Sequence, residues 1–171
     1  MQITIRQETT DDHPTGYHLV QAAFAGAVHS DGNEQDLVAA LRHSQAFVPQ
    51  LSLVAVAGTE VVGHILFTRA LVGGATVLAL APLSVHPRWQ RQGVGTALIT
   101  HGHTLAKSLG YGYSLVLGSD AYYPRYGYLP AQQFGIWVPA GFPPQNFMAI
   151  RLDEQASPIS GPVVYAKEFG L

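Results

Sequence analysis

The chain contains no cysteine, which excludes a disulfide framework, a thiolate metal site and a cysteine nucleophile. Charge is scarce as well: charged residues make up 12% of the sequence and the formal net charge is −2. The nine basic residues are scattered, so no electrostatic footprint for nucleic acid is present. No uninterrupted apolar run approaches the ~18 residues of a membrane span. The opening residues 1–8 alternate apolar and polar and lack the apolar core of a signal peptide, so a cytoplasmic protein is expected. Eight histidines are present, yet none forms an i,i+4 pair or a His-Glu-x-x-His string. His101 and His103 are two apart on an expected helix and point to different faces. No metal site is expected. What the chain does have is apolar content, 47% over 171 residues, enough for the core of one globular domain. Residues 1–152 read as its core and residues 153–171 as a loop and a closing strand.

Periodicity supplies the elements. Residues 2–6 alternate as a first strand. Asp11, Asp12 and Pro14 open a helix whose apolar stripe is Leu19, Val20, Ala23, Phe24 and Ala27. After a break at residues 31–33, a second helix runs from Glu34 to about His43 and buries Leu37, Val38 and Leu41. Residues 51–57 and 61–69 are strands joined by a hairpin turn at 58–60. Residues 76–85 form the next strand, interrupted by Pro82. Proline cannot donate a ladder hydrogen bond, so Pro82 marks a bulge. Bulges gather beside active sites, and this one is expected to splay the strand from its next parallel neighbour. A helix from about residue 92 to 109 carries Val94, Ala97, Leu98, Leu105 and Leu109 on one face and stops at Gly110. A strand at 113–118, a short helix at 120–125 and strands at 133–138, 146–152 and 163–167 complete the reading, with residues 153–162 as a mobile connector. The order gives an α/β fold: a mixed, mostly antiparallel sheet of about seven strands, one right-handed crossover after Val85, and helices on both faces.

Between the bulged strand and the following helix lies Gln90-Arg91-Gln92-Gly93-Val94-Gly95-Thr96. Unpaired N–H groups at a helix start, together with the positive end of its dipole, receive a phosphate well. A dinucleotide fingerprint would need a small residue where Leu98 stands, and a P-loop would need a Gly-Lys-Ser/Thr ending. What fits is Gln90-x-x-Gly93-x-Gly95 after a strand, which resembles the pyrophosphate-binding motif of the GNAT superfamily of acyl-CoA-dependent N-acyltransferases. One strand further on, Tyr122-Tyr123-Pro-Arg-Tyr-Gly127-Tyr128 resembles that family's Phe-Tyr-x-x-x-Gly-Phe signature. Ile5-Arg6 and Asp11-Asp12 resemble its opening, and Gly161-Pro-Val-Val-Tyr165 with Phe169 its closing strand. Glu34-x-x-Leu37-Val38-x-x-Leu41-Arg42 and Gly-Ser-Asp-x-Tyr-Tyr are similar to a poorly characterised subgroup of small bacterial acetyltransferases.

The resemblance implies direct transfer of acetyl from acetyl-CoA, a cosubstrate, to a primary amine in a ternary complex. It puts the pantetheine arm along the backbone of Leu83, Ser84 and Val85, and the pyrophosphate on Gln90, Arg91, Gln92, Gly93, Val94, Gly95 and Thr96. Val85 N–H is the candidate donor to the carbonyl oxygen. Tyr123 matches the motif tyrosine that gives a proton to the departing thiolate; Tyr122, Tyr126 and Tyr128 read as packing. Many relatives carry a glutamate on the bulged strand as base, and residues 76–85 have no acid. Glu34 is the candidate that remains, although an acid in a first helical turn also serves as a dipole partner. His64 reads as a hydrogen-bonded core histidine, His86 as structural, and a water chain is the other route for the proton. The missing strand glutamate keeps open a rival reading, a non-catalytic CoA-binding regulatory module. The acceptor is expected to be a small-molecule or peptide amine, with no nucleic acid or membrane partner and a homodimer left open.

Overall fold

The structure is a computed structural model that describes residues 2–27 and 30–171. Strand β1 (Ile3–Gln7) leads through a 3₁₀ turn (Thr10–Asp12) into α1 (His13–Phe24) and then α2 (Glu34–Arg42). Strands β2 (Phe47–Ala57), β3 (Glu60–Val72) and β4 (Ala75–Val85) follow as a meander. A 3₁₀ turn (Pro87–Trp89) and the glycine turn precede α3 (Val94–Ser108), which crosses to β5 (Tyr113–Leu117). The chain ends with β6 (Leu129–Pro130), β7 (Phe147–Arg151) and β8 (Val163–Val164). The sheet runs β1-β2-β3-β4-β5-β7-β6, and β8 pairs with the end of β3, giving eight strands among the described residues. Every pairing is antiparallel except β4 with β5.

Side-chain alternation along β3 assigns the two faces. Ile65 and Phe67 point into a core that includes Val94, Leu98 and Ile99 of α3. Leu66 points the other way, into a cluster with Val20 of α1 and Val38 and Leu41 of α2. Ala70, Val72 and Val77 continue that second face under residues from the 131–142 and 156–165 segments. Helices therefore cover both faces, as the pattern predicts.

Several boundaries differ from the sequence reading. Residues 133–138 are not a strand: Ala131–Phe134 form a 3₁₀ turn ended by left-handed Gly135, and Ile136 makes a single bridge to Gly161. The place beside β7 is taken instead by β6, two residues too short to show a period. The closing strand shrinks to two residues, because Tyr165 leaves the ladder to pack against Phe142 and Phe169. Residues 120–125 form no full helix. The 3₁₀ turn Tyr123–Tyr126 holds Pro124 in its first turn and stops at Gly127. Helix α3 starts at Val94 because Gly93 is left-handed, and its buried face includes Ile99, Gly102 and Ala106 while Leu109 is exposed. Leu37 is half-buried rather than core. Ala27 lies beyond the end of α1. The 153–162 segment is tied to the sheet: Tyr113 Oη donates to Ser157 O at 2.9 Å, and Gly73 N donates to Pro162 O at 2.9 Å.

Candidate active site

The bulge falls where Pro82 predicts it. Ile65 pairs with Leu83 and Phe67 with Leu80, so Ala81 and Pro82 together oppose Leu66. On its other edge β4 pairs with β5 only at Leu78–Ser114 and Ala79–Leu115. Beyond Ala79 the two parallel strands separate, and the sheet opens. His86 N donates to Val62 O at 2.8 Å, and Ser84 lies opposite His64 two residues back. Antiparallel pairing alternates, so the backbone groups of Leu83 and Val85 turn away from β3 and into the gap.

The gap widens into a cleft of about 930 Å³. Its walls are Leu80, Ala81, Pro82, Leu83 and Val85 from β4, Val116 and Leu117 from β5, and Gly118 and Ser119 beyond it. The glycine turn closes one end with Gln90, Arg91, Gly93, Gly95 and Thr96. Two turn residues are left-handed, Arg91 at φ 62° and Gly93 at φ 87°. Successive left-handed and helical residues converge their N–H groups on one point, which makes an anion nest. A non-glycine residue held left-handed stores strain, and such strain clusters at ligand clamps. Gln90 fastens the turn to the strand, its Nε2 donating to Val85 O at 3.2 Å. Val85 N–H remains on the gap side.

Ser84, Gln92 and Val94 do not line the cleft. Ser84 is buried on the α1/α2 face of the strand, Gln92 Nε2 donates to Arg88 O at 2.9 Å, and Val94 packs into the α3 core. His86 is structural in its contacts: its Nδ1 accepts from Arg88 N–H at 3.1 Å.

The tyrosine cluster lies across the cleft from β4. Tyr123 lines the cleft and stacks edge-on with Tyr122 and Tyr128. Gly118 makes room for it: a Cβ there would lie 2.4 Å from the Tyr123 ring. Burial, with a smaller contribution from Tyr126, pushes the Tyr123 phenol up to about 12, so it carries its proton throughout the neutral range. Tyr122 and Tyr126, read from the sequence as packing, also line the cleft. A Cβ on Gly95 would lie 2.4 Å from Tyr122 Oη, and Tyr126 Oη is 2.7 Å from Thr96 Oγ1. These two tyrosines thus brace the glycine turn. Their spacing in the motif carries no sign of this, since the contact spans some thirty residues. Tyr128 is wholly buried, between His103 Nε2 at 3.0 Å and Ser114 Oγ at 2.9 Å.

At the opposite mouth Ala23 and Phe24 of α1 face Glu34 and Leu37 of α2. Glu34 is the acid lining this cleft, and its carboxylate accepts from Ser30 Oγ. Arg91 and Arg125 stand at the glycine-turn and tyrosine side.

A sequence model of the Acetyltransferase (GNAT) family matches residues 10–128. An Escherichia coli (strain K12) protein described as uncharacterized N-acetyltransferase YjhQ is 44% identical over 101 residues, 57% of this chain and 56% of that protein. The match therefore spans little more than half the length of this relative. Among solved structures, YhbS from Escherichia coli in complex with CoA superposes with a TM-score of 0.89 at 26% identity, covering 100% of this chain and 93% of that one. A GNAT family acetyltransferase from Brucella melitensis in complex with acetyl-CoA gives 0.81 at 29% identity, covering 98% of each chain. With its sheet parted at the Pro82 bulge and the glycine turn at the end of the gap, the chain belongs to the GNAT acetyltransferase family.

Proposed function

We propose that this protein transfers an acetyl group from acetyl-CoA directly to a primary amine. The observation that carries the reading is the parted sheet: the free edge of Leu83 and Val85 runs straight to the nest at Arg91–Gly93, with Tyr123 facing it. The extended pantetheine arm pairs with that free edge as an added strand. The pyrophosphate takes the N–H groups of the turn, and Arg91 adds charge. Val85 N–H receives the carbonyl oxygen as negative charge develops on it.

The amine enters between α1 and α2, where Glu34 supplies the negative charge that attracts an ammonium. Once the ammonium has lost its first proton to water in the open cleft, its nitrogen attacks the thioester carbon; the C–N bond forms and the C–S bond breaks. Tyr123 gives its proton to the departing sulfur and regains one as the nitrogen sheds its second proton. A phenol held at about 12 is fully protonated when the thiolate needs it.

The test is CoA thiol release from acetyl-CoA across a panel of primary amines. Tyr123→Phe keeps the ring's packing and removes the donor. Turnover is expected to fall ~10²–10⁴-fold with acetyl-CoA affinity preserved. An unchanged rate where chemistry limits turnover makes Tyr123 a packing residue.

A further inference from the structure

Most arginines of this chain are already held by an acid or a carbonyl. Arg6 pairs with Asp12, Arg42 pairs with Glu8, Arg69 donates to Gln45 O at 2.7 Å, and Arg151 donates to Ala156 O. The remaining arginines, Arg88, Arg91 and Arg125, make no side-chain hydrogen bond or ion pair among the described residues. All of them stand around the glycine turn. Arg91 belongs to it, Arg88 O accepts from Gln92 Nε2 at 2.9 Å, and Arg125 lines the same cleft. The sequence offers them no acid: no aspartate or glutamate occurs between Glu60 and Asp120, a stretch that contains β4, the turn, α3 and β5. The acid on the cleft wall, Glu34, is at the opposite mouth. Cations left unneutralised along a cleft concentrate their field on an anion.

Arg125 is exposed at the rim of the cleft, yet its position is set. It lies in the 3₁₀ turn Tyr123–Tyr126, and its Cζ is 5.5 Å from the centre of the Tyr122 ring. A guanidinium over an aromatic face is attracted by the ring's quadrupole and is partly ordered before a ligand arrives. The same ring reaches the first turn of α3. Tyr122 Oη fills the space that a side chain on Gly95 would need, and Tyr126 Oη is 2.7 Å from Thr96 Oγ1. Arg125 is therefore carried on a bracket fastened to the nest.

CoA brings a charge that the nest does not answer. One ribose away from its pyrophosphate is the 3′-phosphate, a monoester with a charge of about −1.5 to −2 at neutral pH. We infer that Arg125 clamps the 3′-phosphate of CoA and makes this protein select CoA over donors that lack that group, such as dephospho-CoA. This rests on the acetyl-CoA site of the reading above. The N–H groups of the turn and Arg91 answer the pyrophosphate, and the planar fork of Arg125 takes two oxygens of the monoester. Arg88 is exposed and lies outside the cleft wall, which leaves this charge to Arg125.

Calorimetric titration of the full chain with CoA and with dephospho-CoA tests the clamp in wild type, Arg125→Gln, Arg91→Gln and Arg88→Gln. Arg125 is exposed and unpaired, so its replacement is expected to leave the melt unchanged. Wild type is expected to bind CoA ~10-fold more tightly than dephospho-CoA, the scale of one hydrogen bond to a charged group. The gap is expected to narrow in high salt, which screens an exposed pair. Arg125→Gln is expected to bind CoA as weakly as dephospho-CoA, with its affinity for dephospho-CoA unchanged. Arg91→Gln weakens both ligands alike, and Arg88→Gln keeps the wild-type ratio. A wild type that does not distinguish the two ligands, an Arg125→Gln protein that still does, or a ratio lost in Arg88→Gln instead overturns the clamp and leaves acetyl transfer standing. A wild type that binds neither ligand overturns the cofactor site and the clamp with it.

Discussion

Replacing Glu8 by glutamine tests how much of the fold rests on one buried carboxylate. Its side chain is 4% exposed, and its partner Arg42 is 9% exposed. Burial works against the charged form and is outweighed by His64, Arg42 and Ser52, which together hold the carboxyl well below the usual range. Glutamine has nearly the same shape but turns an NH2 toward one of the two Arg42 donors, each of which gives a 2.9 Å bond to a different Glu8 oxygen. The guanidinium is then buried without a counter-charge. Breaking a buried pair in this way costs about 3–5 kcal/mol. For a domain of this size each kcal/mol moves Tm by roughly 2–4 °C, so a fall of roughly 6–20 °C is expected in a calorimetric or fluorescence melt. Glu34→Gln, at the cleft mouth, is the control and is expected to stay within about 0.5 kcal/mol of wild type. Acid behaviour gives a second reading of the same pair. Because folding depresses the Glu8 pKa, its stabilisation is complete above the ordinary value of 4.5 and is lost as pH falls below it. The acid slope of Tm is therefore expected to be shallower in Glu8→Gln. A variant that melts within 2 °C of wild type by the arithmetic above, with the same acid slope, refutes the assignment of Glu8 as a buried ion-pair anchor.

Three further outcomes follow from the cleft and the core. CoA at 100 times its Kd is expected to add about 2.7 kcal/mol to stability, and Gly93→Val or Gly95→Val to abolish that rise while leaving a folded protein; a wild-type melt indifferent to millimolar CoA refutes the cofactor site. Gly118→Ala puts a Cβ 2.4 Å from the Tyr123 ring, so turnover is expected to fall with the CoA shift retained, and an unchanged rate shows that Tyr123 need not hold this position. Burial lowers His103 to about 4, so an NMR titration is expected to show its ring neutral down to that pH; the unfolded chain binds the proton first, and stability declines as pH falls from 6.5 toward 4.

The sequence by itself determined the local and sequential features. Pro82 placed the bulge because a residue without an N–H cannot hold a ladder bond. Gly93 and Gly95 placed the turn, and the 3.6-residue period placed α1, α2 and α3 to within a few residues. The tyrosine motif put Tyr123 on the cleft because its spacing from β5 is local. Where the chain follows no period, the reading failed: β6 is two residues long, and residues 133–138, read as a strand, curl into a turn at Gly135. Only the tertiary structure decided which distant groups meet. Tyr122 against Gly95, Tyr126 against Thr96, and the Glu8–Arg42–Ser52–His64 cluster join residues 12 to 56 positions apart. Such contacts depend on strand register and on how α1 and α2 lie across the sheet, and one-dimensional spacing carries neither. That is why His64 reads as a core histidine in the sequence, while its place beside Glu8 and Ser52 becomes visible only once β1, β2 and β3 are paired.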